Sequence, residues 1–147
     1  MGVFLVSDAA ELAAQGLDSE ATQLAKLSLL MFACLSERLP GLSANGSQVH
    51  EVPGALHLSS PEVQGEEMQQ AIRSRVEVSV GSACATGHTG PSAVMVAMGV
   101  PDERAMSSVR FTLGRFTTED DVHFAMDAVV HAVKKLRVTS SRFAKTR

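Results

Sequence analysis

Val109-Arg110-Phe111-Thr112-Leu113-Gly114-Arg115-Phe116-Thr117-Thr118-Glu119-Asp120-Asp121 is the stretch that decides the fold class. Val109, Phe111 and Leu113 alternate with Arg110 and Thr112, the two-residue period of a half-buried strand. A threonine followed by three acids then marks a helix start. The hydroxyl caps free N–H groups, and the carboxylates suit the positive end of the helix dipole. Val122, Ala125, Met126, Val129, Val130, Val133 and Leu136 continue as one apolar face, with Lys134, Lys135 and Arg137 placed for the negative end. From Val138 the chain is polar and basic, and is expected to fray.

Working back from that strand, Ser92 to Met98 reads as a helix closed by Gly99 in a left-handed cap, followed by Val100-Pro101. Val76, Val78 and Val80 alternate with Glu77 and Ser79, predicting a second half-buried strand. Glu66 to Arg73 is a short helix with Met68 and Ile72 on one face. Val49 to Leu58 is extended chain broken at Pro53-Gly54, expected at a sheet edge because proline cannot donate to a ladder. Asp8 to Leu39 is helical, with an interruption expected near Gly16-Leu17-Asp18-Ser19. Its stripe of Leu24, Leu27, Met31, Cys34 and Leu35 assigns Cys34 to core packing. Leu39-Pro40-Gly41 stops that helix, and Asn45-Gly46 is a turn. Helices outlast strands and few strands have βαβ spacing, so the class is α+β with a small sheet.

The chain has 147 residues, enough for one domain with its own core. At 45% apolar and 20% charged residues it has the profile of a soluble globular protein. A net charge of −3 with dispersed basic residues excludes a nucleic-acid-binding face. No apolar run approaches the roughly 20 residues of a membrane span. Met1 to Val6 is too short and lacks the basic start of a signal peptide. Ser7 lies one place beyond the position that N-myristoylation of Gly2 requires. Cys34 and Cys84 make neither a disulfide framework nor a zinc set, which indicates a reducing compartment, cytoplasm or mitochondrion.

Candidate chemistry gathers on Val76 to Ser92. Cys84 lies in Gly81-Ser82-Ala83-Cys84-Ala85-Thr86-Gly87-His88-Thr89-Gly90-Pro91, a loop of small residues after a strand. An isolated cysteine is usually a small buried hydrophobe; a thiol on a loop borne by a rigid scaffold is placed for reaction. His88, four residues on, is either a solvated loop histidine or a group that polarises the thiol. The helix starting near Ser92 adds a positive field that lowers a thiol pKa. Arg110 points away from the face that holds Phe111. It is either merely solvated or suited to bidentate capture of a carboxylate. His50, His57, His123 and His131 lack metal-site spacing, and His123 and His131 are expected on the surface of the last helix. Glu66-Glu67 reads as an ordinary exposed helix start.

Gly81-Ser82-Ala83-Cys84, Pro91-Ser92, Ala97-Met98-Gly99 and Ser107-Ser108-Val109-Arg110-Phe111-Thr112-Leu113-Gly114-Arg115-Phe116-Thr117-Thr118 closely resemble the C-terminal region of group I cysteine desulfurases. These are pyridoxal-phosphate enzymes of aminotransferase fold type I. Leu39-Pro40-Gly41, Asn45-Gly46, Val52-Pro53 and Gly65-Glu66 also fall where that family has such residues. The resemblance runs from about Leu39 to Leu136 and more faintly through the first helix. It implies an α+β small domain with a mainly antiparallel sheet and helices packed on one side. It further implies that Cys84 attacks the sulfur of a cofactor-bound cysteine and leaves as a persulfide, releasing alanine and carrying sulfur to an acceptor protein. Arg110 would hold the substrate α-carboxylate. Selenocysteine lyases, acting on L-selenocysteine, share the architecture: His88 resembles a histidine of their loop, while the Cys84-to-Pro91 spacing is that of the desulfurases.

The family's cofactor-binding part has no counterpart in this sequence. Of Lys26, Lys134, Lys135 and Lys145, none follows a histidine as the Schiff-base lysine does, and the ring-nitrogen aspartate and phosphate-cup residues cannot be placed. The expected organisation is a helical lead-in over 1–38, a small domain over 39–137 with its cysteine loop at 81–91, and a basic tail over 138–147. Pyridoxal phosphate and a homodimer belong to the full-length enzyme; no cofactor, no metal and no desulfuration by this chain alone are expected. Two readings from other classes are a stand-alone persulfide carrier that works without the cofactor, and a partner-binding remnant with an exposed apolar patch.

Overall fold

The computed structural model describes residues 2–47, 52–80 and 90–144, with side chains from residue 8 to residue 140. In chain order the elements are α1 (Gly2–Arg38), β1 (Ser43–Ala44), β2 (Ala55–Ser59), α2 (Gly65–Ile72), α3 (Ala93–Ala97), α4 (Asp102–Met106), β3 (Ser108–Thr112) and α5 (Glu119–Ala144). The strands form one antiparallel sheet in the order β1-β2-β3. The class is α+β, as the sequence predicts.

Sheet register sorts the side chains. Leu56 pairs with Phe111 and Leu58 with Val109, while His57 pairs with Arg110 between them. The four apolar residues are buried. They meet Leu27, Met31 and Leu35 of α1, Met68 and Ile72 of α2, and Val122, Met126, Val129 and Val133 of α5 in one core. Helix α5 packs against both α1 and α2, so three helices cover one sheet face. The short α3 stands by the other. Cys34 is half-buried against the core, as its place on the α1 stripe predicts.

Four features differ from the sequence reading. Helix α1 runs through Gly16 without interruption; the hydroxyls of Ser19 and Thr22 fold back on the helix's own Gly16 and Asp18 carbonyls at 3.0 and 2.8 Å and cap no new helix start. Strand β2 is central and not an edge. Its pairing begins after Pro53, where Ala55 N–H closes a turn on the Val52 carbonyl and Gly54 takes φ +85°. One edge is the two-residue β1, too short to leave a periodic signature.

Val76–Val80 is not a strand; it makes a single bridge, Ser79 to Arg110. Val76 N–H still bonds the Ile72 carbonyl at the end of α2 at 2.9 Å, and the Gln69 side chain donates to the Val78 carbonyl at 2.7 Å, so the chain is tied to α2 on both sides of Glu77, the residue that would pair next. Finally, the expected frayed tail is helical to Ala144. Arg137 is a clamp and not a helix-end charge: its guanidinium donates to the Pro40 and Pro61 carbonyls and to Ser60 Oγ. Ser140 Oγ adds a bond to the carbonyl of Glu62, a residue at φ +68°.

The predicted caps are present. Gly99 takes φ +71° after α3. Thr118 and Asp121 make a reciprocal box, with Asp121 N–H donating to Thr118 Oγ1 and Thr118 N–H to Asp121 Oδ2. Hydrogen bonds from the Thr118 hydroxyl and N–H hold the Asp121 carboxyl below its ordinary pKa.

A close approach locks α2 to β3. A Cβ at Gly65 would collide with the Ser108 carbonyl oxygen and come within 3.3 Å of that of Met106, both backbone atoms. Gly65→Ala is therefore expected to destabilise the fold by about 1–3 kcal/mol. Gly114→Ala, whose Cβ meets nothing within 4 Å, should stay within about 0.5 kcal/mol. Urea midpoints at unchanged m-value would check both; equal effects would remove the steric argument.

Candidate functional site

The sheet face opposite the helices carries the candidate site. Strand alternation that sends Leu56, Leu58, Val109 and Phe111 into the core turns His57 and Arg110 the other way, side by side on neighbouring strands. They line a cleft of about 400 Å³. Its walls are Ser79 and Val80 on one side and Met95 and Met98 on another, with Asn45, Gly46, Ser92 and Val94 completing it.

Arg110 is exposed, but its backbone is fixed on both edges. It pairs with His57 in the ladder and exchanges two hydrogen bonds with Ser79, 2.7 and 3.1 Å. Neither of the two ion pairs among the described residues, Arg38–Asp127 and Arg115–Glu20, involves it. The cleft thus presents a guanidinium with no carboxylate partner among the described residues, which is the arrangement for receiving an anion.

His57 is the residue the sequence reading passed over. Histidine spacing speaks only to metal binding, and among the described residues no group of ligands for a metal ion is present. The argument that turns Arg110 off the apolar face applies equally to His57, which stands between Leu56 and Leu58. Burial first, and the neighbouring Arg110 charge second, lower its pKa from the ordinary 6.5.

Cys84 and His88 lie outside the described residues. The chain leaves that stretch's flanks at places that border the site: Val80 and Ser92 both line the cleft, and Gly90 lines an adjoining one with Glu66 and Glu67. Lys26 on α1 and Lys134 and Lys135 on α5 are exposed, and none lines the cleft; Lys145 is outside the described residues. Pyridoxal phosphate needs a lysine and an acidic partner for its ring nitrogen, and the described cleft offers neither. His123 and His131 are exposed on α5, as expected. A second cleft, about 370 Å³, includes Arg104. That guanidinium is already engaged, donating to Asn45 Oδ1 and the Ala44 carbonyl at 2.8 and 2.7 Å. Among the described residues no helix is long and apolar enough to cross a membrane.

No family model matches the chain. Curated relatives do. It is 42% identical over 139 residues to the cysteine desulfurase IscS of Anaeromyxobacter dehalogenans, covering 95% of this chain and 34% of that protein. It is 36% identical over 132 residues to the human cysteine desulfurase, covering 90% and 29%. The chain therefore spans about a third of the length of these relatives, and it resembles the C-terminal part of their family. Among solved structures, a NifS-like protein superimposes with a TM-score of 0.71 at 21% identity, covering 84% of this chain and 31% of that one. A NifS-like protein from Rickettsia africae gives 0.69 at 20%, covering 82% and 31%. These two likenesses establish the fold.

The lowered His57 pKa sets a pH dependence of folding. The unfolded chain binds the proton more readily, so the native state keeps its full stability above pH 6.5 and loses it as pH falls from there through the folded pKa. Urea midpoints taken between pH 7.5 and 5 should decline, and His57→Asn should flatten that decline; an unchanged slope in the variant would rule His57 out as its source.

Proposed function

We propose that this chain, through its likeness to the C-terminal part of cysteine desulfurases, is the sulfur-receiving part of such an enzyme. The whole enzyme would take sulfur from L-cysteine, leave alanine, and pass a persulfide to an acceptor protein. The observation that carries the reading is the Arg110 cleft. A guanidinium without an ion-pair partner among the described residues rises from backbone fixed by β2 on one side and Ser79 on the other, and it shares the cleft with Val80 and Ser92, the flanks of the cysteine-bearing stretch. Only three residues lie between Val80 and Cys84, and the four steps of chain reach about 14 Å.

In this reading Arg110 binds the substrate α-carboxylate through paired N–H donors. Cys84 acts as the nucleophile in its thiolate form, and His88 is a group that favours that form. Residues 39–137 would be the small domain and 1–38 the helix leading to it from the rest of the enzyme. Since no described lysine reaches the cleft, the cofactor is assigned to that remainder, and this chain alone is assigned no desulfurase activity. Two further observations support a cleft shared with other protein surface. Val94 and Met98 on its lining, and Val96 on the same segment, are at least half exposed, apolar surface open to a partner. Residues 8–15 and 17–19 of α1 are also exposed.

In the complete enzyme containing this chain, Cys84→Ser should abolish sulfur transfer and persulfide detectable by mass spectrometry, whereas Cys34→Ala should leave both. Equal loss in the two variants would remove Cys84 from the mechanism. Arg110→Lys should raise KM for cysteine about tenfold or more, the loss expected of a charge-assisted bidentate pair; an unchanged KM would argue against carboxylate capture there.

A further inference from the structure

We propose that His57 is a second anchor for the carboxylate held by Arg110, donating an imidazole N–H to it from the adjacent strand. The inference rests on the reading of Arg110 as a carboxylate site. Register carries it: His57 and Arg110 are direct cross-strand partners on the face that lines the cleft. Side chains so paired start about 4.5–5.5 Å apart at Cβ, close enough for both to reach one carboxylate. The backbone beneath the imidazole is fixed on both edges like that beneath the guanidinium, because the His57 carbonyl accepts the Asn45 N–H at 2.8 Å on the other edge of β2.

The surroundings define what the ring can do. Half-buried beside a cation, it is neutral at pH 7, with one N–H to donate and one nitrogen to accept. Apart from Arg110 and His57 itself, every described residue lining the cleft is uncharged: Asn45 and Gly46 just after β1, Ser79 and Val80 from the bridge, and Ser92, Val94, Met95 and Met98 around α3. Two carboxylates, Glu66 and Glu67, line the adjoining cleft. A bound carboxylate would supply the missing negative charge. It would offset Arg110 and accept from the imidazole, and both effects favour the imidazolium. Carboxylate binding and proton uptake at His57 are therefore linked, each strengthening the other by the same factor.

The test uses L-alanine as the probe on this 147-residue chain, with NMR titration of the His57 ring, identified by its absence in His57→Gln. Saturating L-alanine is expected to move the His57 midpoint upward, and its affinity should rise as pH falls through that midpoint. His57→Phe should bind about tenfold more weakly or worse, the loss of one hydrogen bond to a charged group. His57→Gln, which keeps a donor, should recover affinity but lose the pH dependence. Arg110→Ala should lose binding and the shift together. Binding that Arg110→Ala abolishes, with an unmoved His57 midpoint and full affinity in His57→Phe, would overturn the role of His57 and leave the carboxylate site standing. No binding to the folded wild-type chain would overturn the carboxylate site, and His57 with it.

Discussion

The two-residue period of β2 and β3 is the constraint on which the rest of this structure hangs. Side chains that alternate across a sheet divide it into two surfaces of opposite chemistry. Here the division is complete at the centre: Leu56, Leu58, Val109 and Phe111 go to the helices, and His57 and Arg110 go to the cleft. A slip of one residue in either strand would bury a guanidinium or an imidazole in the core and expose a phenylalanine or leucine. The same hydrophobic burial that stabilises the domain thus fixes the position of its polar pair.

The helices hold that register from behind. Gly65 lets α2 sit against the backbone of Ser108 at the start of β3. The capping box of Thr118 and Asp121 starts α5 where Val122 and Met126 can meet the sheet core. Arg137 and Ser140, later on α5, bond to the turns that follow α1 and β2. Strand, helix and turn are fastened by different kinds of contact, and all of them bear on the same two strands.

Much of this was legible in the sequence. Long periodic segments such as the α5 face and the α1 stripe announce themselves, because many residues repeat one signal. Arg110 was legible for the same reason, as the polar member of an apolar alternation. What escaped was short or depended on tertiary partners. The two residues of β1 carry no period, and the central place of β2 follows from where pairing begins after Pro53. The alternation Val76–Val80 is genuine, yet bonds to Ile72 and Gln69 tie the segment to α2, which only the folded chain reveals. His57 was missed by asking a histidine about metals when its neighbours already stated which way it faces. Cys84 and His88 were singled out by residue type and by resemblance, and the described residues contribute the flanks of their stretch.

The single bridge between Ser79 and Arg110 gives the domain a seam. Two backbone hydrogen bonds are together worth about 1–3 kcal/mol net, and lifting the buried Val78 adds about 1.5–3 kcal/mol. Even with the Gln69 bond to the Val78 carbonyl added, that sum reaches only the lower part of the usual 5–15 kcal/mol of a whole domain, so the Val76–Val80 segment belongs to a sub-global opening unit while β2 and β3 stay paired. Its amide protons would exchange with solvent ahead of those in the ladder beside it. The lead into the cysteine stretch can therefore detach and re-form as the sheet that carries Arg110 stands still.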